Sequence, residues 1–546
     1  MGFAVLLYAT YAQWSYVSEP QPVFDEPAPT AQHSAQQNTQ QNNGVLSLSD
    51  TIPSFEEQAN RDDSTPQRPR TETIKLEHLE LEINPNKGAD IVGAKLLRYF
   101  PSKDQTDKPI ELLSLNPDSY HYFQTGLLST TGKAEADHTK KFRRLSETSG
   151  EGQDTIVKYI WQEDGIEVIK TYTIQRYLYR VYLDYRVNNY SDEPYSFVPY
   201  FQLVKREAEV ERSMFDVETY SFDGGIVYDG DSYEKLYPDD LSKQPYNQLH
   251  TGGWVANIKH HFLVAFVPLW DKPYRYEATH NKRDRLNKIS AISLEPQTVF
   301  PGGSASTRVD LYVGPKLQRH LNGVRDGLEL SVDYGKLSFL ASPLFWLLEN
   351  INDFVGNWGL SIILVTLLIK LVFFRLTESS GKSMARMREL QPRLKAIQER
   401  YENDKQAQSK AMMDLYQKEN VNPMAGCLPM LIQIPFFIAF YWVLLESVEI
   451  RQAPFFLWLD DLSSRDPYFV LPILMGLGMW FQQKLNPAPP DPTQAKVMTI
   501  LPIMFTGLFA WFPSGLVLYW LTNSLLSIAQ QWRINKRIET AKPAAK

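Results

Sequence analysis

The spacing of hydrophobic positions changes character partway along the chain. Between Thr71 and Leu330 it alternates: Leu79, Leu81 and Ile83 stand between polar neighbours, and Tyr179, Val181, Leu183, Tyr185 and Val187 stand between Arg180, Tyr182, Asp184 and Arg186. Val309, Leu311 and Val313 repeat the pattern near the end of this region. A period of two puts every second side chain on one face of a strand. Turn-forming stretches such as NPNKG, VNNYSDEP and FPGG separate the runs. The pattern predicts an antiparallel β-sandwich of two sheets over residues 71–330.

Beyond residue 340 the apolar residues gather into long runs. Five predict membrane-spanning helices: 357–375, 427–448, 468–481, 497–512 and 515–532. A hydrocarbon core needs roughly 20 helical residues, so the third run implies a tilted helix or a thinner membrane. Only Pro513-Ser514 joins the last two, which makes them a tight hairpin. Ahead of the first span, Ser342-Pro343 reads as an N-cap followed by a proline at the first helical position. Leu344, Leu347, Leu348, Ile351 and Phe354 then share one face of a helix over 342–355, with Trp346 beside them. That helix either lies in the membrane interface or packs on the β domain. Within 376–422, stripes through Met384, Met387, Leu390, Leu394, Ile397 and Tyr401 and through Met412, Leu415 and Tyr416 predict a hairpin of two helices.

The N-terminal run Phe3 to Val17 reads as a signal peptide or an anchor; lacking a positive lead-in and a clear cleavage site, residues 1–17 are expected to be an uncleaved anchor with a truncated start. Residues 18–70, with TAQHSAQQNTQQNN, have the composition of a disordered tether.

Composition and charge narrow the function. The chain has 546 residues, net charge −7 and mean hydropathy −0.33, too polar for a wholly embedded protein and too long for one domain. A single cysteine, Cys427, excludes an internal disulfide framework and reads as a small buried residue. There is no zinc spacing, phosphate-binding glycine loop or nucleophile elbow, so no cofactor, no ATPase and no enzyme is expected, nor DNA binding. The aromatics of the β region are ordinary strand residues. Arg375, Lys382, Arg386, Arg388, Arg393, Lys395, Arg400, Lys405, Lys410 and Lys418 mark the 376–422 hairpin as cytoplasmic. Counting outward from it, 449–467 and the β domain are periplasmic, and the basic tail over 534–546 is inside. The expected localisation is the inner membrane of a Gram-negative cell.

One charge stands inside a span. Lys370 lies roughly 18 Å along the first helix from Trp358, where a lysine costs up to about 2.5–3.5 kcal/mol. It either snorkels to the interface or faces a wet cavity. Thr366 is one turn before it on the same face. In the last span Tyr519, Thr522, Asn523, Ser527 and Gln530 form a polar stripe, and Gln433 sits between Pro429 and Pro435 in the second. These line a cavity or join helices by hydrogen bonds.

The stretches NWGLSIILVTLLIK, SMARMRELQP, VNPMAGCLPMLIQIPFF, RQAPFFLWLDDLSSRDPYFVLPILMG and WFPSGLVLYW resemble the YidC family of bacterial membrane protein insertases. The resemblance implies an α-helical membrane bundle of five core helices (357–533) around a hydrophilic groove, a periplasmic β-supersandwich, and a groove cation at Lys370, where relatives usually carry Arg. Lysine keeps that charge without the planar fork. Thr366 matches a groove position, Tyr519 keeps an aromatic of the last helix, and Trp520 stands where relatives often have Tyr. Arg375 takes a place that is often Pro, so the exit into the hairpin is expected to differ. The implied partners are nascent membrane proteins, the Sec translocon, the ribosome and signal-recognition targeting factors, and the lipid bilayer. Two other classes remain: a transporter using Lys370 as substrate or proton site, and an envelope enzyme or glycan binder centred on the β domain.

Overall fold

The computed structural model describes residues 70–541, apart from 133, 151, 208–220, 270, 326, 403, 420–427 and 486–491. The expected anchor over 1–17, the tether over 18–70 except its last residue, and Cys427 lie outside the described residues.

Among those residues the region from Glu72 to Pro315 forms three antiparallel sheets of four, six and nine strands. The alternation seen in the sequence is the alternation of burial: along Ile166–Ile174 every second residue is buried. The two larger sheets face each other, with Phe266 of one lying 6.5 Å from Phe123 and 6.0 Å from Phe201 of the other. Each such side chain taken out of water contributes about 1.5–3 kcal/mol. The four-stranded sheet, Glu72 to Leu113, is an addition to the expected pair. Its strands slip register at Glu82/Ile83 and at Ala94/Lys95, and such bulges bend a strand away from its neighbours. From it Asp90 reaches between the large sheets, where it meets the buried ammonium of Lys170. Thr125 Oγ1 and Gly88 O, each 2.8 Å from that ammonium, complete its shell.

The helical part comprises α1 (Ser338–Val355), α2 (Trp358–Val372), α3 (Phe374–Arg400), α4 (Lys405–Lys418), α5 (Leu428–Glu446), α6 (Val470–Leu485), α7 (Pro492–Phe509) and α8 (Ser514–Ala541). Helix α1 begins at Ser338, not at Ser342, and Pro343 lies inside it. The side chain of Ser338 bonds back to Gly335 O at 2.6 Å, so the chain is already turning before the expected cap. Leu344, Phe345 and Leu348 are buried where α1 packs on α2 and α5, while Trp346 and Phe354 are exposed. Gly356 ends α1 in the left-handed conformation, and Asn357 restarts the chain by accepting from Leu360 N at 2.9 Å.

The run expected to form one span over 357–375 is broken. Helix α2 stops at Val372, and α3 leaves it at 61°. Kinks usually come from proline or glycine, and neither occurs from Leu371 to Thr377. Among the described residues no single helix is long and apolar enough to cross a membrane, but α2 with the first part of α3 passes as a bent pair. The hairpin of α3 and α4 has its own small core, Leu390 and Leu394 against Met387, Met412, Leu415 and Tyr416.

The loop after α5 folds over one end of the bundle. Ser514 and Gly515, at the start of α8, donate to Ser464 O at 2.7 Å and Leu462 O at 2.9 Å. Asp466 caps α6, accepting from Leu471 N at 2.7 Å and Trp458 Nε1 at 3.0 Å. The β domain grips the same end: His260 and His261 both bond to Leu445 O, at 3.1 and 2.9 Å, and Arg451 donates to Phe100 O at 2.7 Å.

Candidate functional site

Helix α2 carries Lys370 in its last turn, where the helix dipole favours a cation. The half-buried side chain reaches α8, and its Nζ donates to Ser527 Oγ at 2.8 Å. Ser527 in turn donates to Asn523 O, one turn back, at 2.7 Å. The Asn523 amide accepts from Gln433 Nε2 of α5. A short polar row on α8 thus ties α2 and α5 together.

This row borders a cavity of about 290 Å³. Lys370, Gln433, Tyr519, Trp520, Asn523 and Ser527 all line it. Among the described lining residues Lys370 is the one that carries a charge; the rest are neutral. An aromatic cluster packs towards the start of α8: Tyr519 stacks on Phe440 at 4.7 Å, and Trp520 meets Phe437 edge-on at 4.7 Å. Ser527 lies eight residues beyond Tyr519, roughly 12 Å further along the helix.

Three expected residues stand apart from the cavity wall. Thr366 is buried and its hydroxyl donates to Ile362 O of its own helix at 2.6 Å. Thr522 is buried on the flank of α8, away from the Tyr519, Asn523 and Ser527 row. Gln530 is on the same side ridge as Thr522, and its Nε2 donates to Phe374 O at 3.4 Å where α3 crosses. Residues spaced by four follow one ridge of a helix, whereas a step of three moves to the next ridge.

The wall also includes Thr377, Ser380, Gln482, Gln483, Ser524 and Gln531, which the sequence did not single out. Thr377 and Ser380 continue past Lys370 on α3, but the unsignalled bend hides that they face the same space. Gln482 and Gln483 mark the end of the apolar run of α6, a signal of polarity without a direction.

Two family models match the two halves of the chain. The family described as YidC periplasmic domain matches residues 72–347, and that described as 60Kd inner membrane protein matches residues 350–542. A membrane protein insertase YidC of Thioalkalivibrio sulfidiphilus is 42% identical over 99% of this chain and 98% of its own length. One of Alkalilimnicola ehrlichii is 47% identical over 84% of this chain and 82% of its own. A crystal structure of an active YidC insertase aligns with 85% of this chain and 92% of that one, at 18% identity and a TM-score of 0.38. With both halves matched, and relatives this similar over nearly the full length, the chain belongs to the YidC family of inner-membrane protein insertases.

Proposed function

We propose that this chain inserts nascent proteins into the bacterial inner membrane through the cavity between α2, α5 and α8, without nucleotide hydrolysis. The observation that carries the reading is Lys370, a cation with a hydroxyl partner on a cavity wall whose other described residues are neutral. A client's short acidic outer segment enters from the cytoplasmic side and meets that ammonium. In a partly desolvated cavity the attraction exceeds its value in water. Hydroxyl and amide groups along the wall, from Thr377 to Gln531, supply hydrogen bonds to the polar segment as it passes. The client's apolar span meanwhile moves into lipid, which releases about 25 cal/mol per Å² of apolar surface. That release drives the segment across.

The spans, in this reading, are the expected five, the first of them bent after Val372, with the N-terminal anchor over 1–17 as a sixth. The basic hairpin of α3 and α4 and the end of α8 lie in the cytoplasm, as their excess of Arg and Lys supports. There they meet ribosomes and signal-recognition targeting factors, while the bundle works alone or beside the Sec translocon. The β domain is periplasmic. Thr366, Thr522 and Gln530 support the walls from behind. Insertion of a single-span client with an acidic outer segment into vesicles tests the reading. Lys370→Ala should lower insertion about tenfold, equivalent to roughly 1.4 kcal/mol of lost attraction, and Lys370→Arg should retain it. Equal insertion by Lys370→Ala and the parent chain would rule the mechanism out.

A further inference from the structure

We propose that Ser527 is the positioning residue that holds the Lys370 ammonium at the cavity wall, and that it thereby sets a preference for acidic clients. The inference rests on the insertion reading above and goes beyond it by assigning how the cation is kept in place. A lysine in the last turn of a helix has four methylenes with which to reach water beyond the helix end. Something must hold it in the cavity, and among the described residues its hydrogen-bond partner is Ser527 Oγ at 2.8 Å.

The direction of the bonds matters. A serine hydroxyl has one proton and two lone pairs. The Ser527 proton goes to Asn523 O at 2.7 Å, so the oxygen turns a lone pair to Lys370. Such a back-bond to the preceding turn fixes the hydroxyl rotor. That turn of α8 is itself anchored, because the Asn523 side chain is bonded to Gln433 on α5. The acceptor is therefore held from two helices. It is also neutral: it takes one of the three ammonium donors and leaves the charge and two donors for a client carboxylate. A carboxylate at position 527 would pair with Lys370 and cancel the charge. An alanine would release the ammonium to solvent.

The test uses the full chain in vesicles and two clients that differ only in the outer segment, one acidic and one with Asn and Gln in place of the acids. Ser527→Ala should raise the half-saturating concentration of the acidic client roughly fivefold, the net scale of one ordinary hydrogen bond, with the maximal rate unchanged. The neutral client should shift by less than half as much. Ser527→Thr, which keeps the hydroxyl, should restore the parent value, and Ser527→Asp should erase the difference between the two clients. Equal slowing of both clients by Ser527→Ala, or failure of the threonine to rescue, would reduce Ser527 to a structural role and overturn the assignment. An unshifted Ser527→Ala beside an impaired Lys370→Ala would overturn it while leaving the insertion reading intact. If Lys370→Ala treats both clients as the parent does, the insertion reading itself falls, and this assignment with it.

Discussion

Lys316, at the end of the last strand of the β domain, forms an ion pair with Glu446, at the end of α5, with 3.3 Å between Nζ and Oε2. Both side chains are almost wholly removed from solvent, and the ammonium also meets Ser331 O at 3.3 Å. Burial lowers the pKa of Lys316, and the Glu446 carboxylate opposes that shift. A buried pair of this kind is costly to break and cheap to replace, because a lone charge stranded out of water is the expensive state. Lys316→Met alone should therefore destabilise the junction by about 3–5 kcal/mol, while Lys316→Met with Glu446→Leu should recover most of it. Thermal unfolding of the two variants in detergent measures the difference.

Glu449 sits on the same junction. Its Oε1 accepts from Gln318 N at 3.1 Å, and among the described residues its buried Oε2 has no hydrogen-bond partner. Burial pushes its carboxyl up to about 7, from an ordinary value of 4.5. A raised carboxyl adds stability in full below pH 4.5 and loses it as pH climbs through 7. The loss is on the order of 3 kcal/mol by pH 8. His261 works in the opposite direction. Burial holds it well below 6.5, so its contribution is lost as pH falls below that value. The histidine contributes equally to the parent chain and to Glu449→Gln, so it cancels in their difference. The stability of the parent relative to Glu449→Gln should fall from pH 5 to about pH 7 and level off by pH 8. A flat difference would mean that the carboxylate is solvated.

How much of this was legible in the sequence depended on whether a residue's role is set locally. The period-two runs gave the strands because alternation is a property of neighbours. Ile166–Ile174 is buried at every second residue as its sequence implies. The third sheet was hidden because Asp90 reads as one more polar residue in a strand, and its partner Lys170 is 80 positions away. Lys370 stood out because a cation in an apolar run has a cost that needs explaining. Its partner Ser527 is one member of a polar stripe in the sequence, since the choice between Ser527 and Thr522 depends on how α8 is rotated. Ser342-Pro343 has the composition of a helix start, yet the turn at Gly335 begins the helix one turn earlier.

The α3–α4 hairpin has a core separate from that of the bundle, and this gives it a stability of its own. Leu394 is 3% exposed and sits between the two helices. Leu394→Ala should cost the hairpin about 2–5 kcal/mol. Because that cluster is small, the loss should appear as local opening. Amide exchange should quicken across residues 386–418 while α2 and α8 keep their protection. Loss of protection throughout the bundle would show that the hairpin and the core unfold as one unit.

Gln433 and Asn523 bridge α5 and α8 at the edge of the cavity, and each is half-buried. Within a membrane such a bond contributes less than a vacuum estimate suggests, with measured couplings averaging about 0.6 kcal/mol and reaching about 1.7. The placement here argues for the upper part of that range, since the Asn523 carbonyl also receives Ser527 and so helps orient the neighbour of Lys370. Gln433→Leu and Asn523→Leu should each leave one amide without its partner, and the double variant should cost less than the sum of the two. A double-mutant cycle on unfolding in mixed detergent micelles should give a coupling of about 1–1.7 kcal/mol. The same two single variants should also slow insertion of an acidic client, Asn523→Leu more than Gln433→Leu, because it removes the amide that fixes the turn bearing Ser527. A coupling near zero, with equal effects on insertion, would mean that the two amides bond independently to water in the cavity and do not hold the helices together.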